Sequence, residues 1–227
     1  MKTQKLVAGL VTIALMGLAL ACDRGNPPSA PAASKVNASS RHFSASETGG
    51  DQRSTSEGDQ RFRWDIISVD FATGTLSAGG VASADANDGS KITFTGSGTF
   101  RAGAEDEVTG GGTWETFDVA GTSTGKGTYQ VRELVRFDVA PGTPPLPNDN
   151  IGPRADERAG LLVLRISYSD GSGGVLVAGC HLVGTPKTVV EGVTISKGFV
   201  GFLQELPPAP PGNANRTSFH LLSEEEN

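Results

Sequence analysis

The chain has 227 residues, one ordinary domain's worth with room for appendages. Its 31 glycines, roughly 14% of the residues and about twice the usual share, exclude a helix bundle or coiled coil, because glycine costs about 1 kcal/mol per helical site relative to alanine. A formal charge of −6, with no cluster of lysine or arginine beyond the first five residues, excludes a general attraction for nucleic acid.

Taken in chain order, the first element is a leader. Lys2 and Lys5 give a positive start, residues 6–20 (LVAGLVTIALMGLAL) carry no charge, and Ala21 and Cys22 end the run. This is the pattern of an export signal spanning residues 1–21. As a helix the uncharged run rises roughly 22 Å, short of the about 30 Å hydrocarbon layer of a bilayer, so it reads as a cleaved leader and not as a permanent span.

Leu18-Ala19-Leu20-Ala21-Cys22 resembles the lipobox of bacterial lipoproteins, in which a cysteine after small or apolar residues is lipidated through a thioether and becomes the new N-terminus. The resemblance implies lipid on Cys22 and anchoring in a membrane of the cell envelope. Ala19 stands where that family prefers leucine, valine or isoleucine, and Ala19-Leu20-Ala21 also fits the small-x-small site of ordinary signal peptidase, whose product is a soluble secreted or periplasmic protein. Either cleavage removes Lys2 and Lys5 and takes the formal charge from −6 to −8, so attachment to an anionic membrane falls to the lipid. With Cys22 lipidated, Cys180 has no intramolecular partner, and no disulfide framework is expected.

Residues 22–60 hold only Val36 and Phe43 as large apolar side chains. They cannot offset the ordering entropy of a core and read as a disordered tether, averaging roughly 35 Å end to end and reaching about 125 Å when extended.

From residue 61 to 205 short alternating runs punctuated by glycine predict an all-β domain. Phe62, Trp64 and Ile66 alternate, then Ile67, Val69 and Phe71 take the opposite parity, which predicts a bulge or bend near Ile66. Three segments read G-x-G-T-aromatic: Gly96 to Phe100, Gly110 to Trp114 and Gly125 to Tyr129. In a strand the two glycines and the aromatic share a face, so rings can cover the bare backbone of neighbouring glycines while glycine permits the coiling of a sheet that closes. A phosphate-cradling loop is rejected, since no strand-to-helix context or Walker lysine follows any copy. A strand over 125–139 leads into a proline-rich loop over 140–160, and strands over 161–168 and 175–183 flank a hairpin turn at 169–174. Strands over 188–196 and 199–205 end the domain. Residues 206–227 read as a proline-rich tail, with 218–222 frayed in preference to docked as a strand. The expected architecture is a glycine-rich antiparallel meander closing into a small β-barrel, with a two-sheet β-sandwich as the alternative.

Candidate chemistry is sparse. His42 falls in the tether and His220 in the tail, leaving His181 as the histidine expected to be held rigidly. No metal-ligand spacing and no cofactor motif is visible. Asp85-Ala86-Asn87-Asp88-Gly89 resembles the start of a calcium loop, but its glycine comes one place early and the distal glutamate is missing, so a hairpin turn is expected. Cys180 and His181 point to opposite faces of a strand, which opposes a thiol–imidazole pair; Cys180 is expected in the core. Glu133 shares its parity with Val131, Val135 and Phe137, and Arg165 is its obvious partner. Glu133, Arg165 and His181 are thus the weak catalytic candidates, with a structural Glu133–Arg165 pair preferred.

The functional expectation is an exported, lipid-anchored envelope protein with a non-catalytic β binding or scaffold domain. Its partners would be the membrane, through Cys22, and a small ligand or another envelope protein. The alternatives are a small barrel enzyme, an isomerase or hydrolase, working in a polar cavity, and a soluble secreted binding protein.

Overall fold

In a computed structural model the described residues are 60–206 and 215–223, all within the unit Asp51–Asn227. The leader, Cys22 and nearly all of the tether lie outside them. Fourteen strands follow in order: β1 (Arg61–Asp70), β2 (Thr75–Ala78), β3 (Ala82–Asp85), β4 (Lys91–Phe94), β5 (Ser97–Arg101), β6 (Gly111–Phe117), β7 (Ser123–Ala140), β8 (Asn148–Asp149), β9 (Glu157–Tyr168), β10 (Gly173–Cys180), β11 (Gly192–Lys197), β12 (Val200–Phe202), β13 (Gln204–Glu205) and β14 (Thr217–Leu221). Six of them, β1–β5–β6–β7–β9–β14, pair antiparallel in a ring that closes on β1. The expected small glycine-rich barrel is therefore present. Strands β4, β3 and β13 extend outward from β6, and β10, β11 and β12 extend from β9.

The G-x-G-T-aromatic segments build the tightest part of the wall. A Cβ on Gly98 would lie 2.2 Å from the Thr109 carbonyl oxygen and 2.7 Å from Trp64 Nε1, and one on Gly110, which adopts φ +125°, would lie 2.9 Å from Trp64 Cζ2. The Trp64 ring thus lies against glycine backbone that no other residue could supply. Trp114 plays the same part over Gly125 and Gly127. A ring of six strands encloses little space, and aromatics fill it. Phe62 stacks on Phe100 at 5.4 Å, and Phe137 lies 4.8 Å from Phe62 and 5.2 Å from Phe219. Towards the other end Phe94 meets Tyr129 at 4.7 Å and Trp114 meets Tyr168 at 5.7 Å. The tyrosine hydroxyls donate to the Thr95 and Ser196 carbonyls, so their polar tips are satisfied inside the wall.

Three expectations need correcting. The change of face at Ile66 is a change of partners and not a bulge in β1: Phe62 to Ile66 pair with β14, whereas Ile67 to Asp70 pair with β2. Ile67 and Val69 then pack with Leu76, Leu146 and Ile151 in a second, smaller core. The stretch 140–160, expected as a loop throughout, also carries short regular elements and the start of β9. Its β8 pairs parallel with β2, a short 3-10 turn (Arg154–Asp156) precedes β9, and residues 141–156 form a roof over the outer face of β1 and β14. Finally, Thr217–Leu221, expected within a frayed tail, is β14, the strand that closes the ring between β1 and β9. The Asp85–Gly89 segment behaves as expected of a hairpin turn: Asp88 accepts from the Ser90 N–H and hydroxyl, and Gly89 takes φ +80°.

Candidate functional site

Strand alternation sends Trp64 and Phe219 inward and their neighbours outward. In register, Arg63 lies beside His220 and His220 beside Glu157, while Asp65 lies beside Ser218. Five polar side chains therefore share the outer face of β1, β14 and β9. Solvent would normally cover them, but four are buried instead and only Arg63 keeps part of its surface in solvent. Asp149 descends from the roof to place Oδ2 2.7 Å from His220 Nε2, with the two side chains 5% and 2% exposed. His220 Nδ1 lies 3.1 Å from Ser218 Oγ, which also reaches Glu157 Oε1 at 3.4 Å. Arg63 holds Asp65 through two hydrogen bonds of 2.7 and 2.9 Å.

Burial sets the proton affinities here. It raises the pKa of Asp65 despite the Arg63 hydrogen bonds and charge, and it raises that of Glu157 against the attraction of His220. Ser218, His220 and Asp149 have the connectivity of a nucleophile, base and orienting acid. Ser218 is fully enclosed, however, and the acid is carried by the roof itself, so lifting the roof to admit a substrate would dismantle the chain. The cluster is a clamp that fastens residues 141–156 to the barrel wall.

Beside the clamp lies a solvent-open recess with a cavity volume of about 40 Å³. Glu157 forms the wall common to both. Ile67, Val69, Leu76 and Leu146 make the apolar side, and Glu191, Arg216 and His181 supply charge and polarity. Glu191 joins two strands that split the edge of β9: its Oε2 accepts the His181 N–H at 2.6 Å and its Oε1 the Thr217 N–H at 2.8 Å. Burial outweighs these bonds and pushes its pKa up to about 7. Arg216 stacks over Phe71 at 5.1 Å, and its buried Nε makes no hydrogen bond among the described residues.

Of the residues singled out in the sequence, two pair with each other and the third stands apart. Glu133 Oε2 and Arg165 Nε meet at 2.8 Å, directly opposed on β7 and β9, but on the exposed outer wall at 34% and 62% exposure. Register shifts between Val131 and Glu133 and between Leu134 and Arg136 change the parity of β7, so Val131 and Leu134 are buried and Glu133 is not. His181 is an exposed rim residue whose Nδ1 lies 2.6 Å from the Val189 carbonyl oxygen; it does not join the Glu133–Arg165 pair. The rigidly held histidine is His220 instead. Cys180 is buried, and burial drives its thiol pKa well up.

His220, Ser218, Asp149, Glu157, Glu191 and Arg216 carry the site, and no sequence motif announces them. The one usable signal is Ser218-Phe219-His220, a polar–apolar–polar alternation of strand type. Among the described residues no cluster of His, Cys, Asp or Glu is suited to a metal ion, and no helix is long and apolar enough to cross a membrane. No known protein family, curated protein or solved structure matches the chain, so the residues themselves carry the functional reading.

Proposed function

We propose that the protein is an exported, lipid-anchored envelope protein whose barrel is a non-catalytic binding or scaffold domain. The observation that carries the barrel's part is its filled interior: Phe62, Trp64, Phe94, Phe100 and Phe219 are each at most 1% exposed, so recognition falls to the outer surface and the recess under the roof. The enzyme alternative requires Glu133, Arg165 and His181 to converge in a cavity, whereas Glu133 and Arg165 pair on the outer wall and His181 lies apart from them on an exposed rim. Anchoring rests on the leader and the lipobox-like Leu18 to Cys22. The lipid would join the domain to a membrane, and a small ligand or another envelope protein would occupy its surface.

Intact-mass analysis of membrane and soluble fractions tests the anchoring, with Cys22→Ala as control. A lipid-sized mass increment in the membrane fraction, absent from the variant, is the expected result. An unmodified and wholly soluble product would overturn it in favour of a secreted form.

A further inference from the structure

Opposite charges line the roof recess, and among the described residues no ion pair joins Arg216 to Glu191 or Glu157. The Arg216 Nε is enclosed and unpartnered among the described residues, a costly arrangement for a donor that is always charged. Glu191 feels the Arg216 charge, but its oxygens already accept the backbone N–H groups of His181 and Thr217. Glu157, on the shared wall, is buried and among the described residues its side chain has only the long 3.4 Å contact to Ser218 Oγ, so it retains acceptor capacity. Between them runs an aliphatic surface of Ile67, Val69, Leu76 and Leu146.

A purely anionic ligand would satisfy Arg216 and meet two carboxyl groups. A purely cationic one would leave the arginine donor unpaired. We propose that the recess binds a small zwitterion of the free α-amino-acid class with an aliphatic side chain, its carboxylate on Arg216, its ammonium on Glu157 and its side chain on Ile67, Val69, Leu76 and Leu146. This rests on reading the barrel as a binding domain and names the ligand class for its recess. The recess has a cavity volume of about 40 Å³ and opens to solvent, so it takes one end of such a molecule while the remainder lies across its mouth. No bond is made or broken.

Calorimetric titration of the full protein at pH 7 with four compounds tests the assignment. L-leucine is expected to bind saturably. Leucinamide, N-acetyl-L-leucine and glycine each lack one of the three features and should bind about tenfold or more weakly, the usual loss when a charged hydrogen bond or a buried aliphatic group is removed. Arg216→Gln and Glu157→Gln should each lower leucine affinity about tenfold or more. Arg216→Lys, which keeps the charge and loses the fork, provides a milder variant should either glutamine variant unfold, and it should weaken leucine binding while leaving the melting temperature near that of the parent.

The proposal is overturned if none of the four binds at millimolar concentration, if folded Arg216→Gln binds leucine as the parent does, or if N-acetyl-L-leucine or leucinamide matches leucine. Those last two results would identify a reader of peptide C-termini or N-termini. A missing lipid increment on Cys22 with leucine binding intact would defeat the anchoring and leave this assignment standing; the reverse pair of results would do the opposite.

Discussion

The two faces of β1 and β14 are both buried, yet by opposite chemistry. Inward, Trp64 and Phe219 meet rings and glycine backbone; outward, Asp65, Ser218 and His220 meet charges under the roof. The inner face gains from apolar area removed from water and is indifferent to which particular ring supplies it within limits of volume. The outer face gains only when each polar group has its partner, since an unpaired buried charge costs far more than a missing contact. Period-2 alternation therefore does not separate core from solvent in these strands. It separates two kinds of interior.

That contrast can be broken from either side. The largest effect is expected for Trp64→Ala, which strips the ring covering Gly96, Gly98 and Gly110 and should cost about 3–5 kcal/mol in urea unfolding; a loss below about 1 kcal/mol would mean that the six-strand ring repacks freely. Next comes Asp149→Ala, which leaves His220 without its buried partner and should cost about 3 kcal/mol. In limited proteolysis the first cuts should then fall within residues 141–156, and cleavage elsewhere first would refute the clamp. Replacing Asp149 and His220 together by leucine should recover much of the loss.

A smaller effect should appear on titration. Glu191 has its pKa raised from 4.5 to about 7, and those of Asp65 and Glu157 are also raised, so the folded state holds protons that the unfolded chain releases. Their stabilising contribution is full below the ordinary carboxylate range and is lost as pH rises through about 7 for Glu191. Denaturation at pH 5 and pH 8 should differ on the order of 1–3 kcal/mol in favour of pH 5, and Glu191→Gln should flatten most of that slope. The smallest effect is expected for Glu133→Gln. Its partner Arg165 is solvated, so a change of less than about 1 kcal/mol should be measured, and a large one would show that the outer wall of β7 and β9 depends on this pair.

The barrel is legible in the sequence because its signal is local: glycine, threonine and aromatic residues recur at strand spacing in adjacent strands, and each copy reports its own geometry. The clamp is not, because its members come from β1, β9, β14 and the roof, and Asp149 sits in a loop with no periodicity to read. Glu133 falls on the unexpected side for a different reason. Each irregularity in β7 inverts the parity of the residues beyond it, and counting by twos from Val131 cannot detect the inversion. His220 escapes notice together with β14 itself, a five-residue strand beyond a proline-rich stretch, where propensity is weak and pairing with β1 and β9 decides the outcome.

The seam between β1 and β14 also governs the order of assembly. A growing polypeptide can zip β5, β6, β7 and β9 together as they emerge, yet it remains an unclosed sheet until Thr217–Leu221 arrives. Until then the raw edge of β1, and the Glu157–Arg158 end of β9 that β10 leaves unpaired, are free to recruit a neighbouring nascent chain. A stalled or clipped product lacking those few residues would be sticky throughout, so the soundness of the whole barrel reports on the integrity of its C-terminal end.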